Sequence, residues 1–151
     1  MHRLEYTVVT RADREVAWKV FSDWRLWRQF SDAYGDIRWL KGEPWTPGSR
    51  LKIEVVRPVQ TVVDHVIIVC SPPESVAWID HALCNTMEQW VTFHSLPEGG
   101  TRVHTWIDIV GSTLDVSGCD VRDFLSDFTR KWYDSFGAMC DQIGEESAIL
   151  T

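Results

Sequence analysis

Basic residues are the scarce class in this sequence. Fifteen Lys and Arg stand against 22 Asp and Glu, for a formal net charge of −7 and a pI near 5.1. A field of that sign repels phosphate backbones and anionic lipid surfaces, and no basic cluster interrupts it, so no nucleic-acid partner is expected. Long apolar runs are missing as well. The longest, "VIIV" from Val66 to Val69, is strand-sized beside the roughly 20 residues a membrane helix needs, so no membrane span is expected. The four cysteines, Cys70, Cys84, Cys119 and Cys140, show no C-x-x-C spacing, and no leading apolar segment resembles a signal peptide. Reduced thiols and a cytoplasmic location are the expectation.

Several chemistries lack their residues. The five histidines, at 2, 65, 81, 94 and 104, form no H-E-x-x-H motif and no Cys/His cluster, so no metal site is expected. "EGGT" lacks the strand-then-helix context of a phosphate-binding loop, and nothing like G-x-S-x-G occurs. No cofactor is expected. Internal repeats, low-complexity tracts and linker-like stretches are also absent. At 151 residues and 44% apolar content, the chain reads as one domain over residues 1–151. A domain of that size buries roughly 70% of its unfolded surface.

Tryptophan is what the chain has in excess, with nine in total. Three of them, Trp18, Trp24 and Trp27, lie in the stretch "REVAWKVFSDWRLWRQFSDAYG". Leu4 to Thr10 alternates as a strand. Asp13 is placed to cap a helix on which Val16, Ala17, Val20 and Phe21 recur at helical spacing. A second short helix holds Trp24, Trp27 and Phe30. From Asp36 to about Val110 the period is two, broken at "GEPWTPG", "RPVQ", "SPPE" and "LPEGG", which predicts a run of antiparallel hairpins. Asp120 then caps a long helix with Val121, Phe124, Leu125, Phe128, Trp132, Phe136, Met139, Cys140 and Ile143 on one broad stripe. An antiparallel sheet with one apolar face must be covered, and this last helix is the only long apolar cover available.

These elements resemble a family. "DREVAWKVFSDWRLW" after the first strand, "PGSRLKIEV" opening the third, "SPPESVAWID" at a hairpin and "EGGTRVHTWIDIVG" at the last one are similar to the helix-grip (SRPBCC/START-like) superfamily, which includes START domains, the birch-pollen allergen and polyketide cyclase/dehydrase-like proteins. The resemblance spans nearly the whole chain. It implies an α+β fold in which a curved seven-stranded antiparallel sheet wraps a long C-terminal helix, with two short helices after strand 1. It also implies that Ala17-Trp18 and Ser22-Asp23-Trp24 mark the packing of those short helices, and that a cavity between sheet and last helix holds a hydrophobic molecule.

Hairpin geometry assigns side chains to that cavity. Pairing Phe93 with Val103 sets Val91 opposite Thr105, Gln89 opposite Ile107 and Met87 opposite Ile109, on a largely apolar face. The reverse face carries Glu88, Trp90, Thr92, His94, Arg102, His104, Trp106 and Asp108, with Trp90 across from Trp106. A turn at Cys84-Asn85 pairs Ala82 with Met87 and points Trp78 and Asp80 inward. The "SPPE" turn pairs Ser71 with Val76 and Ile67 with Asp80, bringing His65 in beside Asp80. A one-residue slip would put Asp64 and His81 inward instead, so both registers stay open. Trp39, Ile53, Phe128, Trp132 and Phe136 complete the expected wall.

A carboxylate beside an imidazole suits proton transfer, so His65 and Asp80 are the candidate catalytic pair; equally, they suit a hydrogen-bonded pair that orients a ligand or holds the sheet. The expected function is binding of a small hydrophobic or aromatic ligand, with acid/base chemistry of the polyketide cyclase/dehydrase type as its enzymatic form. The alternative is a protein-interaction module like the chaperone ATPase activators, which share the fold. The outer Trp90/Trp106 pair offers a surface for a homodimer.

Overall fold

The computed structural model describes residues 2–58, 60–82, 85–111 and 121–150, with side chains described except at 111 and 147–150. The element order is β1 (His2–Thr10), α1 (Arg14–Ser22), a 3-10 helix (Trp24–Gln29), β2 (Tyr34–Lys41), β3 (Arg50–Val55), β4 (Thr61–Ser71), β5 (Ser75–Ala82), β6 (Asn85–Ser95), β7 (Thr101–Gly111) and α2 (Val121–Leu150). The seven strands form one curved antiparallel sheet in the order β1-β7-β6-β5-β4-β3-β2, closed against α2. This is the helix-grip architecture, and the two helical segments after β1 fall where the capping and spacing placed them.

Local chemistry explains the boundaries. Asp13 accepts the Val16 amide at 2.9 Å and starts α1. Asp23 ends α1 and accepts the Arg25 amide at 3.1 Å, opening the 3-10 turn. The cap expected at Asp120 lies outside the described residues. Gly100, at φ 88° in the β6–β7 turn, sits so close to β1 that a Cβ there would meet the Thr10 carbonyl oxygen at 2.5 Å.

One register matches the hairpin argument throughout: Phe93↔Val103, Val91↔Thr105, Gln89↔Ile107 and Met87↔Ile109. Two others correct it. Asn85 is the first residue of β6 and pairs with Ala82, so Asp80 lies opposite Met87 and Trp78 opposite Gln89. Leu83 and Cys84 lie outside the described residues. At the other hairpin Ser71 pairs with Ser75, one residue away from expectation, and an irregularity between Ile67 and Val69 shifts the ladder by one more. Two single shifts add to an even number, so the inward face is the expected one even though its partners differ. His65 sits directly opposite Asp80 rather than diagonal to it. Asp64 and His81 are also paired but face outward, where Asp64 binds Arg50 at 2.8 Å.

The core is a network of rings. Phe21, 1% exposed, lies within about 6 Å of seven others: Trp18, Trp27, Trp45, Trp78, Phe93, Trp132 and Phe136. Trp24 and Trp39 join through Trp45. Thus seven of the nine tryptophans form one cluster uniting α1, the 3-10 helix, the β2–β3 loop, the sheet and α2. Aromatic pairs at these offset and edge-on angles add roughly 0.5–1.5 kcal/mol each beyond the area they bury.

On the outer face, Arg3 grips Asp108 through two bonds of 2.7 and 2.9 Å between β1 and β7. The Arg3 guanidinium holds the Asp108 carboxyl below the usual carboxylate range. A lowered folded-state value means that this contribution is present above the unfolded value of about 4 and is lost as the pH falls through the folded one. Denaturation midpoints of the protein and of Asp108→Asn should therefore differ at pH 7 and converge towards pH 3. A gap that does not narrow would show that the pair carries no proton linkage.

Candidate functional site

The concave sheet face and α2 enclose a cavity of about 140 Å³. Its wall draws on every layer: Phe21 from α1, Trp27 from the 3-10 helix, Tyr34 from β2, Ile53 and Val55 from β3, Val63 and His65 from β4, Trp78 and Asp80 from β5, Met87 and Gln89 from β6, Ile107 from β7. Phe124, Leu125, Phe128, Thr129, Trp132 and Tyr133 come from α2. Strand alternation aims one residue in two at the cavity, and the helical period of α2 repeats the contact every three or four residues. Phe124 and Phe128 also line an open cleft on the far side, with Arg28, Arg57, Asp127 and Lys131 around it, so these two rings separate the cavity from that cleft.

The polar atoms of the wall converge. His65, with a side chain 4% exposed, brings Nδ1 to 2.8 Å from Asp80 Oδ1. That spacing suits an ion pair, although its geometry falls short of a hydrogen bond, and among the described residues His65 Nδ1, His65 Nε2 and Asp80 Oδ1 are buried without hydrogen-bond partners. Trp78 donates its indole N–H to Asp80 Oδ2 at 3.0 Å and stacks on the imidazole at a centroid distance of 4.6 Å. Asp80 thereby positions two rings. Nearby, Gln89 donates to Thr105 Oγ1 at 2.9 Å and to the Tyr133 hydroxyl at 3.2 Å, and Thr105 donates to the Trp90 carbonyl at 2.8 Å.

Burial pushes the phenols of Tyr34 and Tyr133 far above their ordinary range, and the Asp80 charge adds to both shifts. The Trp132 indole, leaning towards the Tyr34 hydroxyl outside hydrogen-bond geometry, offsets part of the first, and Thr105 and Gln89 offset part of the second. Both phenols are neutral at any physiological pH. Among the described residues no group of three or more His, Cys, Asp and Glu gathers in a way that could hold a metal ion.

Of the residues expected at the wall, Ile53, His65, Trp78, Asp80, Met87, Gln89, Ile107, Phe128 and Trp132 line the cavity. Ile67, Val91, Thr105 and Phe136 are fully buried behind it, and Trp39 packs its ring on Trp24 and Trp45 instead. The strand alternation put these residues on the correct face; the aromatic cluster fills the space in front of them. Several wall residues were not anticipated. Tyr133 and Thr129 lie beside the apolar stripe of α2, and their polar groups hid them from a reading built on apolar spacing. Trp27, expected only to pack the short helices, reaches the cavity while donating to the Phe21 carbonyl at 2.8 Å.

The outer face carries the cross-strand pair as expected, with Trp90 and Trp106 stacked at 5.9 Å and 8°. Arg3 lies over Trp106 at 5.8 Å, and His104 packs against its ring. Cys70 and Cys140 are free thiols; Cys84 and Cys119 lie outside the described residues. No described helix is long and apolar enough to cross a membrane.

No protein-family model and no curated protein matches the sequence. Solved structures do resemble it in shape. The Zhui aromatase/cyclase from Streptomyces sp. R1128 superposes with a TM-score of 0.76 at 12% identity, over 93% of this chain and 94% of that one. Ara h 8.0201 gives 0.73 at 13%, over 92% and 97%. A START superfamily protein from Mycobacterium smegmatis gives 0.69 at 15%, over 97% and 99%. At these identities the likeness is one of architecture along the full chain, and on that ground the protein has the helix-grip fold that these structures share.

Proposed function

We propose that the protein binds a small, mostly apolar molecule in the cavity between its sheet and α2, with His65 and Asp80 as the polar anchor. The observation that carries this reading is the combination of an aromatic-walled cavity with buried polar atoms left without hydrogen bonds. Buried polar groups in folded proteins nearly always find a partner, and with His65 Nδ1 and Asp80 Oδ1 turned to one another at 2.8 Å, Nε2 of His65 is the buried atom left for a polar group of a ligand. Size supports a small occupant: an apolar cavity of about 150 Å³ holds benzene. The fold is shared with a structure described as an aromatase/cyclase, and a carboxylate against an imidazole would equip the same site for proton transfer with a bound ligand.

Native mass spectrometry of protein purified from its host is the direct test. The spectrum is expected to show a retained small molecule that His65→Ala protein has lost or holds at lower occupancy. Protein that emerges empty, and whose melting temperature no small aromatic raises, would overturn the reading in favour of a protein-interaction module.

A further inference from the structure

We propose that the cavity's ligand is a neutral, single-ring hydroxy compound of the phenol class, whose hydroxyl donates a hydrogen bond to Nε2 of His65. This rests on the reading of the cavity as a ligand site and names the chemistry it selects. Three observations support it.

The first is the tautomer of His65. Nδ1 lies 2.8 Å from Asp80 Oδ1. A lone pair facing a carboxylate oxygen at that distance is repulsive, so the proton sits on Nδ1, and with the ring uncharged it is Nε2 that is left as an acceptor. Nε2 is buried and has no hydrogen-bond partner among the described residues. A ligand that only accepts hydrogen bonds, such as a simple ketone or ether, leaves it unmatched; a hydroxyl matches it.

The second is charge. The wall includes the Asp80 carboxylate and contains no Lys or Arg among its described residues. An anionic ligand would enter a low-dielectric space with no counter-charge and one like charge, which is the most costly arrangement available. A cationic amine could donate to Nε2, yet it would give up its hydration in an apolar pocket whose one carboxylate is already engaged, Oδ2 accepting from Trp78 and Oδ1 facing His65. Neutrality with one donor fits best.

The third is size and shape. About 140 Å³ between Trp27, Trp78, Phe128 and Trp132 accommodates one ring and leaves no room for a fused polycycle unless the wall moves. Flat aromatic walls favour a flat guest in offset or edge-on contact.

Isothermal titration with phenol, toluene, benzoate and benzylamine, using the intact unaltered protein, tests the proposal. Phenol is expected to bind about 3–10-fold more tightly than toluene, the return from one net hydrogen bond. In a cavity without an acceptor the order reverses, because the hydroxyl is buried unpaired. Benzoate and benzylamine should both rank below phenol. His65→Leu, which removes the acceptor and keeps an apolar side chain, should restore the toluene preference. The unaltered protein offers a second readout that needs no variant: phenol should shift the ¹⁵N resonance of His65 Nε2, and toluene should not. Toluene binding as tightly as phenol, or a charged probe binding best, would overturn the phenol assignment while leaving the ligand site standing. Failure of all four probes to bind would overturn both.

Discussion

Replacing Trp132 by alanine is expected to destabilise the protein by about 3–5 kcal/mol, the range for removing a large buried aromatic and leaving the space unfilled. Trp132 is 4% exposed, and its ring meets Phe21, Trp27, Phe30, Tyr133 and Phe136. It is the point at which α2, α1 and the 3-10 helix share one set of contacts, so the loss cannot be absorbed by a single neighbour. The site also borders the cavity, which would widen and take in water. Urea unfolding of the variant measures the effect. A midpoint unchanged from the parent would remove Trp132 from the centre of the packing and with it the account of how the sheet closes on α2.

His65→Ala and Asp80→Asn are expected to act at the cavity, with His94→Ala and His104→Ala as outer-face controls that leave binding unchanged. His94 reaches Thr92, and His104 reaches Thr7, both on the reverse side of the sheet. His65→Ala strips Asp80 of its buried neighbour and Trp78 of its stacking partner. A pure binder should lose about 1–3 kcal/mol of affinity through the group left unsatisfied. An enzyme using His65 as general base should instead lose turnover by roughly 10²–10⁴-fold with affinity nearly kept. Titration calorimetry beside product analysis separates the two. If both variants bind and turn over as the parent does, the His65–Asp80 pair is a structural contact and the proposed site loses its polar anchor.

The order of elements, the cap at Asp13, and the inward face of β6 and β7 were all legible in the chain itself, because each depends on neighbours within a few residues or on one tight turn; the cap at Asp23 was not read from it. Alternation in "MEQWVTFH" and "RVHTWIDI" admits only one face to a core, and the β6–β7 turn fixed its register without further help. The same local rules placed Trp90 opposite Trp106.

Other features depended on long-range packing. Which of Asp64 and His65 faces inward with Asp80 turns on two single-residue shifts, one at the β4–β5 turn and one at the irregularity between Ile67 and Val69, and nothing in "VIIVC" announces where a strand will slip, since every residue there is equally at home in a sheet. Trp45 shows the same limit. It occupies a left-handed φ of 68° that a tryptophan rarely adopts, kept because its ring is held among Trp18, Phe21, Trp27 and Trp39 while its N–H donates to the Ser22 carbonyl at 2.8 Å. Sequence pattern and the resemblance it carries led to the helix-grip fold and to the inward faces of the strands, while Trp27, Thr129 and Tyr133 were missed. Tertiary structure decided which inward residues reach the empty space: packing around Phe21 consumes Phe136, Val91 and Ile67 as core, and what that packing leaves unfilled is the room between Trp27, Trp132 and the His65–Asp80 pair.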